Sequence, residues 1–220
     1  GLNRYNGYDL ESFFHDNNDV SSLSSNRIRC LFEDDQKRLW IGTDGYGLNS
    51  YSLKNDEITR YNTPLNFDII NDIKQNSNGE ILIATSKGLL KINENNKKLT
   101  VEITQTPITG FNIKKIEILN NNNILFATER GIWIKRKNIY QLIKGSEYLK
   151  YNTIKQTKDG RVWIGGDLGL YEFKNDILIH KKDIFDKNIL SITAGIENDL
   201  WLSTFEKGLL RFDLNNQKLS

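Results

Sequence analysis

Short apolar runs of about four to six residues recur along this chain, separated by clusters of Asn, Asp, Gly, Lys and Ser. Runs of that length, rich in Ile, Val, Thr and aromatic residues and bounded by turn formers, predict strands rather than helices. Asn76-Ser77-Asn78-Gly79, Asn120-Asn121-Asn122-Asn123, Lys158-Asp159-Gly160 and Glu197-Asn198-Asp199 each predict a tight hairpin between two such runs. A second polar turn, as at Lys54-Asn55-Asp56-Glu57 and Lys174-Asn175-Asp176, leads to a further strand. Those last strands end near Tyr61, Ile103, Ile143 and Ile179. No persuasive helical period is present.

The pattern repeats. Leu39-Trp40-Ile41-Gly42-Thr43 returns as Ile81-Leu82-Ile83-Ala84-Thr85, Ile124-Leu125-Phe126-Ala127-Thr128, Val162-Trp163-Ile164-Gly165-Gly166 and Leu200-Trp201-Leu202-Ser203-Thr204. With Trp40, Leu82, Leu125, Trp163 and Trp201 as one column, the spacings are 42, 43, 38 and 38 residues. A Gly followed by an apolar residue comes after each: Gly47-Leu48, Gly88-Leu89, Gly131-Ile132, Gly169-Leu170 and Gly208-Leu209. That Gly permits a positive φ or a close approach before a third strand. Upstream lie two more apolar columns, Ile28, Ile70, Ile113, Tyr151 and Ile189, then Leu31, Ile73, Ile116, Ile154 and Ile192.

Four antiparallel strands in about 40 residues make the blade of a β-propeller. The expected class is therefore all-β, one β-propeller segment over residues 1–220 with a partial unit at 1–25. Its repeats would cover about 26–66, 67–111, 112–150, 151–187 and 188–220. The anchor Trp and Leu residues would lie between adjacent blades. A stacked β-solenoid is the main alternative, although its coils are usually much shorter. Gly1-Leu2-Asn3-Arg4-Tyr5 aligns with the third strand at Gly47–Tyr51, and the chain ends at or just past another third strand. The ends therefore duplicate each other instead of completing one blade. A truncated ring of about six to eight blades is favoured over a five-bladed ring with an irregular seam.

Composition narrows the function. The 30 basic and 28 acidic residues nearly balance, which provides no field for nucleic acid or an anionic membrane. No apolar run approaches the roughly 18 residues of a membrane span. Cys30 is the single cysteine, which excludes an internal disulfide and a cysteine-rich zinc site. The first residues lack the charged and apolar regions of a signal peptide. With no Met anywhere, the chain is expected to be cut from a longer polypeptide.

Leu39-Trp40-Ile41-Gly42-Thr43-Asp44-Gly45-Tyr46-Gly47-Leu48-Asn49-Ser50-Tyr51 resembles the signature of two-component regulator propeller repeats. So do Ser22–Ile28 and Phe32-Glu33-Asp34-Asp35 before it. The resemblance extends over essentially the whole chain, strongest in the first and fourth complete units and weakest around residues 112–136. It implies the periplasmic, extracytoplasmic sensor of a hybrid histidine kinase anchored in the inner membrane, of a kind found in gut Bacteroidetes. It also implies a glycan fragment or similar small ligand, and a kinase and DNA-binding output elsewhere in the polypeptide. The expected partners are thus an oligosaccharide or other small ligand, the rest of the receptor chain and a second copy in a homodimer. No nucleic acid contact, membrane span, cofactor or metal is expected in this segment.

The catalytic chemistry is thin. His15 and His180 are the only histidines and fall far apart in the repeat register, whereas a propeller lyase needs His and carboxylates converging on one face. Cys30 has no aligned Cys or His in other repeats and reads as a buried or channel-side thiol. Asp34-Asp35 and Asp159-Gly160 lack the alternating oxygen spacing of a calcium loop, and hairpin chemistry accounts for them. Catalytic and metal-binding residues are therefore expected to be none. Recognition through loops remains. In a propeller, first strands line the central channel, which brings Arg29 and Lys114 forward as polar channel residues. The loops between second and third strands contribute Tyr46, Lys87, Arg130, Asp167, Phe205 and Glu206. Tyr46 and Phe205 fall where two repeats carry an extra loop residue, and an exposed aromatic beside charge suits stacking on a sugar ring. The competing function is a protein-interaction scaffold without a small ligand. A propeller enzyme is disfavoured by the missing acid, base and metal sets.

Overall fold

The computed structural model describes residues 1–63, 69–95 and 98–220. The boundary expected between 66 and 67 lies outside them. Among the described residues there is no helix, and no helix long and apolar enough to cross a membrane. The chain divides into two compact units, Gly1–Asn112 and Ile113–Ser220.

In the first unit, β1 (Leu2–Tyr5) and β2 (Leu10–Phe13) form a two-stranded sheet. The first four-stranded sheet holds β3 (Ile28–Glu33), β4 (Arg38–Thr43), β5 (Leu48–Ser52) and β6 (Glu57–Tyr61). The second holds β7 (Ile70–Gln75), β8 (Ile81–Thr85), β9 (Gly88–Asn95) and β10 (Lys98–Ile103). In the other unit, the third sheet holds β11 (Ile113–Ile118), β12 (Ile124–Thr128), β13 (Gly131–Arg136) and β14 (Ile139–Leu142). The fourth holds β15 (Tyr151–Gln156), β16 (Val162–Gly166), β17 (Gly169–Lys174) and β18 (Ile177–His180). The fifth holds β19 (Ile189–Ala194), β20 (Asp199–Thr204), β21 (Leu209–Asp213) and a short β22 (Lys218–Leu219). Strand order follows the chain in every sheet and every pairing is antiparallel. The two residues of β22 extend the last sheet just past its third strand.

The anchor column packs one sheet against the next. Trp40 sits with Ile70, Ile73, Ile81 and Ile83 of the second sheet, and Trp163 with Ile189, Ile192, Leu200 and Leu202 of the fifth. Full burial of one such side chain contributes about 1.5–3 kcal/mol. Strands β8, β12 and β16 are buried at every residue, so their apolar runs are continuous rather than alternating. The outer strands β6, β14 and β18 are instead largely exposed or half-buried. The small residue after the anchor leaves room for the neighbouring sheet: a Cβ on Gly165 would lie 2.6 Å from Ile189 Cγ2. Trp201, in the same column, is 39% exposed.

The two deeply buried tryptophans differ in one respect. The Trp40 indole N–H donates to Asp34 at 2.8 Å, whereas Trp163 Nε1 is buried without a partner. Thr157 holds the repeat position of Asp34, and Arg161 that of Arg38; both guanidinium groups lie over their tryptophan, at 5.2 and 5.8 Å. Thr157→Asp should supply the missing acceptor and stabilise the protein by about 1 kcal/mol. A rise in Tm of about 2–4 °C would report it; an unchanged Tm would mean the orphaned indole costs nothing.

Candidate functional site

Every first strand carries a bulge at the same place. The register slips between Ile28 and Cys30, Ile70 and Asp72, Ile113 and Lys115, Tyr151 and Thr153, and Ile189 and Ser191. The extra residues are Arg29, Asn71, Lys114, Asn152 and Leu190, so both first-strand candidates, Arg29 and Lys114, are bulge residues. A bulge re-aims a side chain out of the pleat. Arg29 is exposed and its guanidinium approaches Asn71 Oδ1 of the next first strand at 3.5 Å. Asn71 donates to Asn112 Oδ1 at 3.0 Å, and Asn152 to Asn188 Oδ1 and the Ile189 carbonyl at 3.0 and 2.9 Å. Lys114 is half-buried.

The loops between second and third strands share one construction. A Thr hydroxyl ending the second strand donates to the carbonyl of the recurrent Gly: Thr43 to Gly47, Thr85 to Gly88, Thr128 to Gly131 and Thr204 to Gly208, at 2.7, 2.9, 2.8 and 3.0 Å. The same oxygen accepts a loop N–H, from Tyr46, Lys87, Arg130 and Lys207. The first loop residue then donates to the carbonyl just before the sheet's own first strand. This joins Asp44 to Arg27, Ser86 to Ile69, Asp167 to Lys150 and Phe205 to Asn188, at 3.0 to 3.1 Å. In the fourth sheet Gly166 replaces the Thr, and a Cβ there would meet the Lys150 carbonyl at 2.4 Å.

These bonds fix the loop backbones and leave the tips in solvent. Tyr46 is 57% and Phe205 74% exposed. Lys87, Arg130, Asp167 and Glu206 are also exposed. Beside Tyr46, Asp44 pairs with Arg27 at 2.6 Å; Arg130 lies 3.9 Å from Glu129. In the first unit the structure thus puts Tyr46, Lys87 and Arg29 at the ends of their sheets where first strands begin. In the second it does the same for Lys114, Arg130, Asp167, Phe205 and Glu206. Rigid loop stems with exposed aromatic and charged tips can stack on and hydrogen-bond a ligand without reorganising.

The other candidates for chemistry are structurally engaged. His15 Nδ1 lies 2.6 Å from the Leu23 carbonyl and Nε2 3.0 Å from Asn17 Oδ1. His180 stacks on Tyr171 at 4.4 Å, with Nε2 2.8 Å from the Leu168 carbonyl. The Cys30 thiol donates to the Ile70 carbonyl at 3.7 Å. Hydrogen bonding from Arg161 holds the Asp159 carboxyl down at about 2, so it closes its own turn. Burial and a hydrogen bond to Asp56 push the Tyr51 hydroxyl up to about 12, in a cluster with Arg4. Among the described residues no group of three His, Cys, Asp or Glu could hold a metal.

Sequence reasoning missed a cleft at the other end of the first strands in the second unit. Glu117, Lys155, Gln156 and Lys158 bound it, in a space of about 480 Å³. Its signal is faint, because the repeat position concerned is a mixed column, Glu33, Gln75, Ile118, Gln156 and Ala194, with glutamine in only two of the five.

Residues 22–45, from the entry segment through β3 and β4 into the first loop, match the family described as two component regulator propeller. No curated protein matches the sequence. Among solved structures, the chain is similar to an extracellular domain from B. thetaiotaomicron described as part of a hybrid two-component system. The identity is 20% and the TM-score 0.79, over 98% of this chain and 31% of that one. A second B. thetaiotaomicron extracellular domain, described as part of a one-component system, is 22% identical with a TM-score of 0.75, over 96% and 31%. A catalytically inactive virginiamycin B lyase from Staphylococcus aureus is 15% identical with a TM-score of 0.72, over 90% and 71%. These likenesses show the fold, a β-propeller of four-stranded blades. The chain spans about a third of the length of the two B. thetaiotaomicron domains.

Proposed function

We propose that this chain, built of two-component regulator propeller repeats, is part of the extracytoplasmic sensor of a signalling receptor. It binds a glycan fragment or a similar small ligand and passes the signal to a kinase elsewhere in the polypeptide. One observation carries the sensor reading: the repeat match falls on the segment that builds the first strand, the anchor strand and the first recognition loop. The likeness over nearly the whole chain to extracellular domains described as parts of such systems supports it.

The ligand reading rests on the loops. Tyr46 and Phe205 each present an aromatic face to solvent from a stem pinned by a Thr hydroxyl. Charged groups flank each of them, Asp44 and Arg27 at one, Glu206 and Lys207 at the other. Catalysis is left out of the reading because both histidine rings are engaged structurally, His15 in a loop and His180 on Tyr171.

A thermal-shift screen of the protein against neutral and acidic oligosaccharides tests the proposal. At least one glycan should raise Tm. Tyr46→Ala or Phe205→Ala should weaken its binding by about 1 kcal/mol, roughly fivefold. A folded protein that responds to no oligosaccharide would remove the glycan, and unchanged affinity in both variants would remove these loops as its site.

A further inference from the structure

Two of the five repeats clamp the turns joining first to second strands with a glutamine; the same position holds Glu33, Ile118 and Ala194 in the others. In the first unit, Gln75 at the end of β7 accepts from Asp35 N–H of the preceding sheet's turn at 2.9 Å, and its amide donates to the Gly79 carbonyl of its own turn at 3.2 Å. In the second, Gln156 at the end of β15 accepts from Asn120 N–H at 2.9 Å and donates to the Gly160 carbonyl at 3.0 Å. In both cases the N–H belongs to the second residue of a four-residue turn. The turn closes by Lys37 N to the Asp34 carbonyl in one and by Asn122 N to the Leu119 carbonyl in the other.

At the next seam the clamp is missing. The turn Thr157–Gly160 closes in the same way, Gly160 N to the Thr157 carbonyl at 2.9 Å, so Lys158 N–H takes the place of Asp35 and Asn120 N–H. The residue that should reach it, at the end of β19, is Ala194. Nothing among the described residues bonds this N–H or pairs with the Lys158 ammonium. Two adjoining hollows open where the glutamine would lie, sharing Thr157, Lys158 and Ala194. The larger is about 480 Å³ and the smaller about 100 Å³. The larger is within the range of small-ligand sites.

Lys158 selects the ligand. Glu117, almost wholly buried, accepts from Lys155 at 3.0 Å and from Gln156 N–H at 2.9 Å, and Asp199 is held by Arg211 at 2.7 Å. Arg211 is shared with Glu197 at 2.8 Å, so the charges of this neighbourhood balance, and what singles out the hollow is Lys158, an exposed residue whose ammonium and N–H no described residue engages. We propose that this cleft is a binding site for a carboxylate-bearing small molecule. Its carboxylate takes the position of the missing glutamine acceptor, between Lys158 N–H and the Lys158 ammonium. The site lies about 17 Å along β15 from the loop at Asp167, so it is separate from the loop-tip site and does not rest on it.

The test is amide NMR of the whole chain titrated with glucuronate, glutamate and, as the neutral control, glucose. Both acids share the carboxylate, and glucose lacks it. The Lys158 amide should shift with at least one acid and not with glucose. A larger response to glucuronate names acidic sugars as the source, and a larger response to glutamate names acidic amino acids. Ala194→Gln should restore the clamp, raise Tm by about 2–4 °C and abolish the response. Lys158→Ala should weaken binding at least about tenfold. If neither acid moves the Lys158 amide, or if Ala194→Gln, confirmed folded, responds like the wild type, the proposal fails. The loop-tip variants Tyr46→Ala and Phe205→Ala should leave the response unchanged, so the two sites stand or fall separately.

Discussion

Replacing Asp34 with alanine is expected to destabilise the unit Gly1–Asn112 by about 3–5 kcal/mol. The carboxylate is 3% exposed and its acceptor capacity is well used. One oxygen accepts from Gln36 and Arg38 N–H, both at 2.9 Å, which holds the turn between β3 and β4. The other accepts from Arg38 Nε at 2.7 Å and from the buried Trp40 indole at 2.8 Å. Alanine would orphan both donors at the seam where Trp40 packs on the second sheet, and an unsatisfied buried group costs its full desolvation. Asp34→Asn keeps one acceptor oxygen and should lose less. Burial alone would raise the Asp34 pKa, but the bonds from Arg38 and Trp40 outweigh it and hold the carboxyl below its ordinary value. A group held lower in the folded state stabilises above its unfolded pKa, about 3.9, and loses that contribution as pH falls through the folded value. The gap between wild type and Asp34→Ala in urea unfolding should therefore be widest near neutrality and narrow in acid. Equal midpoints at pH 7 would refute the assignment.

Much of this arrangement is visible in the residues themselves. The strands and their order follow from the apolar columns because each repeat buries the same positions, and five copies average out local irregularity. The bulge left only a hint in the spacing of two columns, which the sequence alone does not resolve. A straight strand puts residues three apart on opposite faces, yet Ile70 and Ile73, Ile113 and Ile116, and Tyr151 and Ile154 are all buried. Either the strand is buried on both faces or one extra residue intervenes, and the register shows that Asn71, Lys114 and Asn152 intervene. The roles of the loop tips were less legible. Thr43 and Gly47 could be read as a column, but that the hydroxyl of one bonds the carbonyl of the other needs coordinates. Exposed tips such as Lys87 and Glu206 carry no packing pattern at all. The cleft escaped for a further reason: Ala194 is unremarkable alone and matters only beside what Gln75 and Gln156 do at their seams.

The recurrent glycine before the third strand has two separable reasons to be there, and they predict unequal costs. Gly208 has φ +68° and open space where a Cβ would go. Gly208→Ala therefore meets only the left-handed backbone penalty, about 1–2 kcal/mol. Gly169 has φ +108°, and its Cβ would fall 2.2 Å from the Phe185 carbonyl oxygen and 2.8 Å from Asp186 Cα. Neither atom can step aside cheaply. The Phe185 carbonyl accepts from Leu170 N–H at 3.1 Å, and the Phe185 ring is buried in the cluster of Trp163, Ile189 and Leu202. Displacing that backbone would break a bond to β17 and loosen the contact between the fourth and fifth sheets. Gly169→Ala should thus add a packing loss to the conformational one, about 3–5 kcal/mol in all. Urea unfolding of the two variants side by side measures the difference. Equal losses would mean that backbone conformation alone selects the glycine, and that the close approach of the Phe185 segment is incidental.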